Sequence, residues 1–283
     1  MRVFDLVDND LRAKVKSVPN THWPSSASAW LDCERCGGSG MEPISPDAVN
    51  TAPIECQADS CDDGRVLHGS CMRALYWSWL GTPPSNPTEP AGRLKMDMGN
   101  AGEDIIMGLV QKHMPMMRQV EAWLRPDGLK HPIHGYIDGV GIDPLTGGLV
   151  VVECKTTYGY GAKSVQKNGP KVDWWIQTCL YVKALREIFP KNEVAQVKFL
   201  VLARDSAYRT EIDRVPDEDT VDLVVERCVE RWAELERWLD ETVGGADAIP
   251  RAEYKPLGKK GDWSHWRCSY CAYKDMCKER DDA

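Results

Sequence analysis

The sequence has no run of about 18 or more apolar residues, the length a helix needs to cross a bilayer. Its opening stretch, MRVFDLVDNDLRAKVKSV, holds no continuous apolar segment of the secretory kind. A soluble chain with no membrane partner is therefore expected. An excess of positive charge is also missing: the net charge is −8 and the pI near 5.4. That balance argues against a protein that coats nucleic acid through a strongly basic surface. It leaves room for a metal-dependent enzyme, whose site must concentrate carboxylates and whose cations help to receive a phosphate backbone. No internal repeat or low-complexity tract interrupts the 283 residues, and the 42% hydrophobic content supports a real core. One large α/β domain with attachments, or two small domains, fits this length.

Cysteine, by contrast, is plentiful, with eleven residues. Their spacing is that of metal sites rather than a secreted disulfide framework. Cys33, Cys36, Cys56 and Cys61 form two knuckle-like pairs, C-x2-C and C-x4-C, in a stretch rich in Gly, Pro and Asp without helical or strand periodicity. That spacing fits a zinc ribbon, with His68 an alternative ligand. Cys268, Cys271 and Cys277 make a C-x2-C-x5-C group one ligand short of a tetrathiolate site. Cys179 and Cys228 fall on expected helices and are read as core residues.

The periodicity predicts a short helix in CMRALYWSWLG, a helix over residues 92–118, a helix from Asp173 to Phe189 and a long amphipathic helix within PDEDTVDLVVERCVERWAELERWLDE. GYIDGVGID and GGLVVVECKTT are β-rich and bracket the turn Pro144-Leu145-Thr146-Gly147; AQVKFLVLAR reads as a buried strand. If the hairpin closes symmetrically about that turn, Asp138 and Glu153 stand opposite each other, with Cβ atoms about 5 Å apart on one face. Lys155, two residues further, shares that face.

Two carboxylates this close repel unless a cation lies between them. Mg²⁺ or Mn²⁺ suits such oxygen ligands, polarises a phosphate and lowers the pKa of a water; Lys155 then orients the water and stabilises charge at phosphorus. The plainer alternative is a solvated cross-strand charge cluster. Against it, Val150, Val151 and Val152 are apolar on both faces before the strand suddenly turns charged.

GYIDGVG, VVVECKTT and the following Gln177-Thr178-Cys179-Leu180-Tyr181 resemble the RecB-type nucleases of the PD-(D/E)XK superfamily. The resemblance covers roughly residues 70–280 and implies a restriction-endonuclease-like α/β core, a mixed central sheet flanked by helices. It implies that Gln177 and Tyr181 help to position a DNA strand, that Glu103 is a further metal ligand where the family often has His, with Asp104 as the alternative, and that the Cys154 carbonyl also binds metal.

Iron-sulfur members similar to the CRISPR-associated exonucleases carry one cysteine before the core and three after it. On that pattern Cys71, Cys268, Cys271 and Cys277 hold a 4Fe-4S cluster, with zinc the competing occupant. The expected organisation is residues 1–69 as a lead-in bearing the four-cysteine zinc module, and 70–283 as a RecB-like nuclease domain closed by the iron-sulfur clasp. The expected activity is a 5′ to 3′ exonuclease preferring single-stranded DNA, acting in recombination, repair or processing in the cytoplasm of a bacterial or phage-infected cell. Arg73, Lys163, Lys167 and Lys171 are candidate strand contacts. A structure-specific or restriction-type endonuclease, and an inactive DNA-binding or assembly protein, are the alternatives.

Overall fold

Val150, Val151 and Val152 are all buried, as a strand covered on both faces requires. The computed structural model describes residues 21–22, 24–32, 61–62, 65–190, 192–206, 208–240, 249–254 and 263–282. In chain order these form β1 (Ser28–Asp32), β2 (Cys61–Asp62), β3 (Arg65–Gly69), α1 (Met72–Trp79), α2 (Pro90–Val110), β4 (Met116–Leu124), β5 (Ile133–Ile142), β6 (Leu149–Thr157), α3 (Gly159–Asn168), α4 (Val172–Ile188), β7 (Val194–Ala203), β8 (Arg209–Arg214), α5 (Glu218–Leu239), α6 (Trp266–Ser269) and α7 (Lys274–Asp282). Two units result: Met1–Ser25 with Pro87–Val225, and Ser26–Asn86 with Glu226–Ala283. In the second unit α1 and the C-terminal segments share one core.

In the first unit five strands lie in the order β4-β5-β6-β7-β8. All neighbours are antiparallel except β6 and β7, which run parallel. A parallel pair needs a crossover, and α3 and α4 supply it. On β6, Val150, Val152 and Cys154 pack against Met107 of α2. The alternate residue Lys155 bonds to Gln177 of α4, so the two helices cover opposite faces of the sheet. The result is the mixed α/β arrangement expected, a central mixed sheet flanked by helices.

One expectation changes at the sheet edges, and one strand there was not foreseen. The helix expected over 92–118 stops at Val110, and β4 begins at Met116, just beyond Pro115. Proline lacks the N–H that a continuing helix needs and disfavours helical geometry in the residue before it. The edge strand β8, RTEIDR, carries too many charges to display apolar alternation. Lys198 of β7 ties it down with cross-strand bonds to Glu211 at 2.6 Å and Asp213 at 3.0 Å.

In the second unit β1, β3 and β2 form a three-stranded antiparallel sheet, so strands enter a stretch whose sequence showed no period. Gly69 ends β3 at φ +86°, where a Cβ would lie 1.9 Å from the Ala27 carbonyl oxygen; no other residue fits. Trp77, Ala252, Tyr273 and Cys277 form a core cluster with Ala74, Tyr76, Trp263 and Met276 packed around it. A buried ion pair, Arg231 to Glu253 at 2.9 Å, also satisfies the first free N–H of α1, since Glu253 Oε2 accepts from Met72 N at 2.7 Å.

Candidate active site

The β5–β6 hairpin closes in the register that symmetry about the turn predicts. Gly139 pairs with Val152 and Ile142 with Leu149, while Asp143 Oδ1 accepts from Leu145 N at 2.8 Å and Gly147 turns at φ +73°. The ladder ends where Asp138 would meet Glu153. There the strands part, and Asp138 Oδ2 accepts from the Cys154 backbone N–H at 2.8 Å. The opening is a notch lined by charge.

Glu153 is only 1% exposed. One of its oxygens accepts from Lys155 Nζ, whereas the other, Oε2, is buried with no partner. An unsatisfied buried carboxylate oxygen costs at least about 1–3 kcal/mol, and a cation is the group that would remove the cost. Lys155 Nζ also donates to Gln177 Oε1 at 3.0 Å, and Gln177 Nε2 to Tyr181 Oη at 3.1 Å. The chain Glu153-Lys155-Gln177-Tyr181 is therefore continuous. Tyr181 is almost fully buried, because Gly135 leaves room for its ring: a Cβ there would sit 2.9 Å from Pro24 Cδ and 3.3 Å from Tyr181 Cε1.

Glu103 reaches the same notch from α2. That helix comes close to β6 through Gly99 and Gly102, whose missing side chains would meet Thr156 at 2.8 and 3.4 Å. Asp104 is instead exposed and paired with Arg118 at 2.5 Å, so of the two acids Glu103 joins the cluster. It stands back a little, since the oxygens of Glu103, Asp138 and Glu153 do not all lie within 4.8 Å of one another.

Electrostatics agree with this placement. Burial first, then the charges of Asp138 and Asp104, pushes Glu103 up to about 7. Burial likewise raises Glu153 to about 7 despite the pull of Lys155, with Asp138 and Glu103 adding to the rise, and it raises Asp138 as well. Burial works against the Lys155 ammonium, but Glu153, Asp138 and Glu103 outweigh it and hold it above the usual lysine range. Burial also keeps the Tyr181 hydroxyl protonated. Three acids strained toward neutrality around a firm cation form a site whose charge is incomplete without a further positive ion. The donors are hard oxygens, the set that Mg²⁺ or Mn²⁺ takes.

The Cys154 thiol points away into the α2 core and is pushed up to about 12 by burial. Cys179 and Cys228 are fully buried. Arg73 is not a free strand contact: it bonds to the Pro250 carbonyl at 2.6 Å, Asp281 at 2.6 Å and Cys277 Sγ at 3.2 Å. Lys163 and Lys167 are exposed on α3, and exposed Lys171 lies over the Trp174 ring at 5.3 Å. Gln119 was not foreseen, although it donates to Glu103 Oε1 at 3.1 Å; nothing in its sequence surroundings marks it.

In the second unit Cys71, Cys268, Cys271 and Cys277 line one cavity of about 300 Å³, walled by Trp77, Trp263 and Tyr273. The Cys271 sulfur accepts from Tyr273 N at 3.4 Å. Burial raises the Cys268 thiol to about 11, with the other three cysteines adding to the rise. Cys33, Cys36 and Cys56 lie outside the described residues, and Cys61 is described only as the backbone start of β2.

No curated protein sequence matches this chain. Among solved structures, the crystal structure of SSO0001 aligns with a TM-score of 0.49 at 13% identity, over 98% of this chain and 96% of that one. The alkaline exonuclease LHK-Exo from Laribacter hongkongensis aligns at 13% identity and a TM-score of 0.41, and LHK-Exo in complex with dAMP at 16% and 0.44. Each LHK-Exo alignment covers 59% of this chain and 78% of that one. A sequence model of the PD-(D/E)XK nuclease superfamily matches residues 98–278, a span that holds every residue of the notch from Glu103 to Tyr181. On that match the chain belongs to the PD-(D/E)XK nuclease superfamily.

Proposed function

We propose that this protein is a metal-dependent DNA exonuclease that hydrolyses phosphodiester bonds, prefers single strands and degrades them 5′ to 3′. The observation that carries the catalytic reading is the buried, unpartnered Glu153 Oε2 beside Asp138 and Lys155. Glu103, Asp138 and Glu153 would hold Mg²⁺ or Mn²⁺. The Cys154 carbonyl joins them, because the N–H and C=O of one strand residue leave on the same side and its N–H already faces Asp138. An ion held there would supply a Lewis acid for the phosphate and lower the pKa of an attacking water. Lys155 orients that water and offsets the charge growing on the phosphate oxygens. Gln177 holds Lys155 in place and takes its own support from Tyr181.

Single-strand preference draws support from the chain just past β6. Tyr158 is 51% and Tyr160 87% exposed, Arg204 lies over the Tyr158 ring at 5.1 Å, and Lys163 and Lys167 follow on α3. Exposed rings among cations suit unstacked bases and a phosphate backbone. Four cysteines lining one cavity, two of their sulfurs accepting N–H bonds, suit a tetrathiolate site at Cys71, Cys268, Cys271 and Cys277, which the family pattern reads as 4Fe-4S with zinc the competing occupant. The cluster's work is to tie α1 to the C-terminal segments. Zinc at Cys33, Cys36, Cys56 and Cys61 remains a reading from spacing.

A time course on linear single-stranded DNA labelled separately at each end, with Mg²⁺, Mn²⁺ or EDTA, tests activity, metal need and polarity together. Release of short products from the 5′ label and silence in EDTA are expected. Cutting of a closed circular single strand would replace the exonuclease reading with an endonuclease. Intact substrates throughout would point to an assembly protein.

A further inference from the structure

Gln119 is the one non-glycine residue with a left-handed backbone among the described residues, at φ +50°. Its place in the sheet is particular. Pairing of β4 with β5 keeps one register from Met116–Gly141 to Leu124–Ile133, but the step opposite Asp138 is skipped, and Gln119 occupies it. Because the register is the same on both sides, no residue has been inserted, and the distortion is not a bulge. It is a local rotation of one residue.

The rotation has a definite effect on the side chains. Arg118 Nη2 meets Asp104 Oδ1 at 2.5 Å, and Gln119 Nε2 donates to Glu103 Oε1 at 3.1 Å. Consecutive residues of a regular strand point to opposite faces, so 118 and 119 could not both reach neighbouring acids on one helix. The left-handed turn at Gln119 makes the double contact possible. Glycine or asparagine would take this conformation at less cost, yet neither side chain could span the gap to Glu103. Backbone strain of this kind persists only where surrounding structure holds it, and it gathers at functional sites.

We propose that Gln119 is a positioning residue for the cation site, fixing Glu103 as the third carboxylate beside Asp138 and Glu153. This rests on the reading of Glu103 as a metal ligand. The carboxamide occupies one Glu103 oxygen and leaves the other for the ion. A neutral donor suits the task, because a lysine or arginine at 119 would cancel the Glu103 charge and compete with the cation. The neighbouring Arg118 spends its direct contact on Asp104 and reaches Glu103 and Asp138 only through its charge.

The test is Mn²⁺ uptake by the full-length protein, followed by titration calorimetry and by loss of the free-Mn²⁺ EPR signal. Wild type, Gln119→Gly, Gln119→Met and Glu153→Gln are compared. Glycine keeps the left-handed backbone without the amide; methionine keeps the length without the donor. Both should bind Mn²⁺ about 10-fold more weakly than wild type. In cleavage assays both should need correspondingly more Mn²⁺, with KM for DNA unchanged and kcat recovered at saturating metal. Wild-type Mn²⁺ affinity in both variants would overturn the role of Gln119 while leaving the site intact. A wild type that takes up no Mn²⁺ would overturn this role together with the proposed function.

Discussion

Around Glu153 the candidate ligands are crowded carboxylate oxygens, one of them buried without a partner, whereas around Cys271 they are sulfurs, two of which already accept N–H bonds, beside an aromatic wall. At the β5–β6 notch burial first, and then the neighbouring acids, raise the Glu103 and Glu153 pKa values and store electrostatic work that a hard cation would release. Burial raises the four thiols as well, which keeps them neutral at pH 7. They sit among Trp77, Trp263 and Tyr273, and their value lies in joining segments far apart in sequence. On the proposed reading, the first would use its ion in chemistry and the second would be held together by its occupant.

The sharpest way to break this contrast is Glu153→Gln, which removes ligand charge but little volume. Cleavage of end-labelled single-stranded DNA should fall by roughly 10³-fold or more, while circular dichroism and the melting temperature stay at wild-type values or rise. Retained activity would show that the notch is not the catalytic centre. The converse substitution is Cys271→Ser. Bound iron, measured by elemental analysis and visible absorbance, should be lost and the melting temperature lowered by several degrees, with Mn²⁺ uptake at the notch retained. Zinc without iron in the wild type would change the occupant of the cavity but not the contrast.

A smaller effect concerns pH. Glu103 and Glu153 lie near 7 in the folded, metal-free protein, against about 4.3 when unfolded. Their contribution is therefore fully favourable below about 4.3 and is lost as pH rises through 7. Lys155, held above its usual range, stays charged throughout and adds no slope in that window. Metal-free protein should melt lower at pH 8 than at pH 6, and Mn²⁺ should raise the melting temperature more at pH 8. Scanning fluorimetry with and without Mn²⁺ checks both; an equal Mn²⁺ shift at the two values would break the link between strained carboxylates and cation.

The smallest effect separates two glycines that flank the notch. Gly135→Ala pushes a Cβ against the Pro24 ring and Tyr181, and should cost about 1–3 kcal/mol with a slower reaction. At Gly139 the clashing atoms are the mobile Cε tips of Met116 and Met107, so Gly139→Ala should cost less. Denaturant unfolding of both variants orders them.

The interior of the sheet was legible in the sequence because its physics is local. Period two and a turn of known type set the β5–β6 register, and the apolar run at Val150 to Val152 declared a strand buried on both faces. The edges were not legible. β8 is held by cross-strand charges and by its ladder, and β4 follows a helix whose apolar period ran misleadingly up to Pro115. In the notch, Asp138, Glu153 and Lys155 could be placed by counting. Glu103 was reached through a family likeness, and only the close approach at Gly99 and Gly102 explains how it arrives. Gln119 left no trace, since a rotated backbone at an ordinary residue follows from neighbours that stand far away along the chain. The cysteines divided similarly: spacing linked Cys268, Cys271 and Cys277, a family likeness added Cys71, and the fold lines one cavity with all four.

The parallel pairing of β6 with β7 also bears on how the protein is made. Every residue of the proposed notch, from Glu103 to Tyr181, leaves the ribosome before β7 begins at Val194. Until that strand arrives, the valine-rich flank of β6 has an open edge, the kind that recruits other chains. Nascent chains halted before Val194 should thus carry all the proposed catalytic groups yet associate with one another, with β7 as the strand expected to cap that edge.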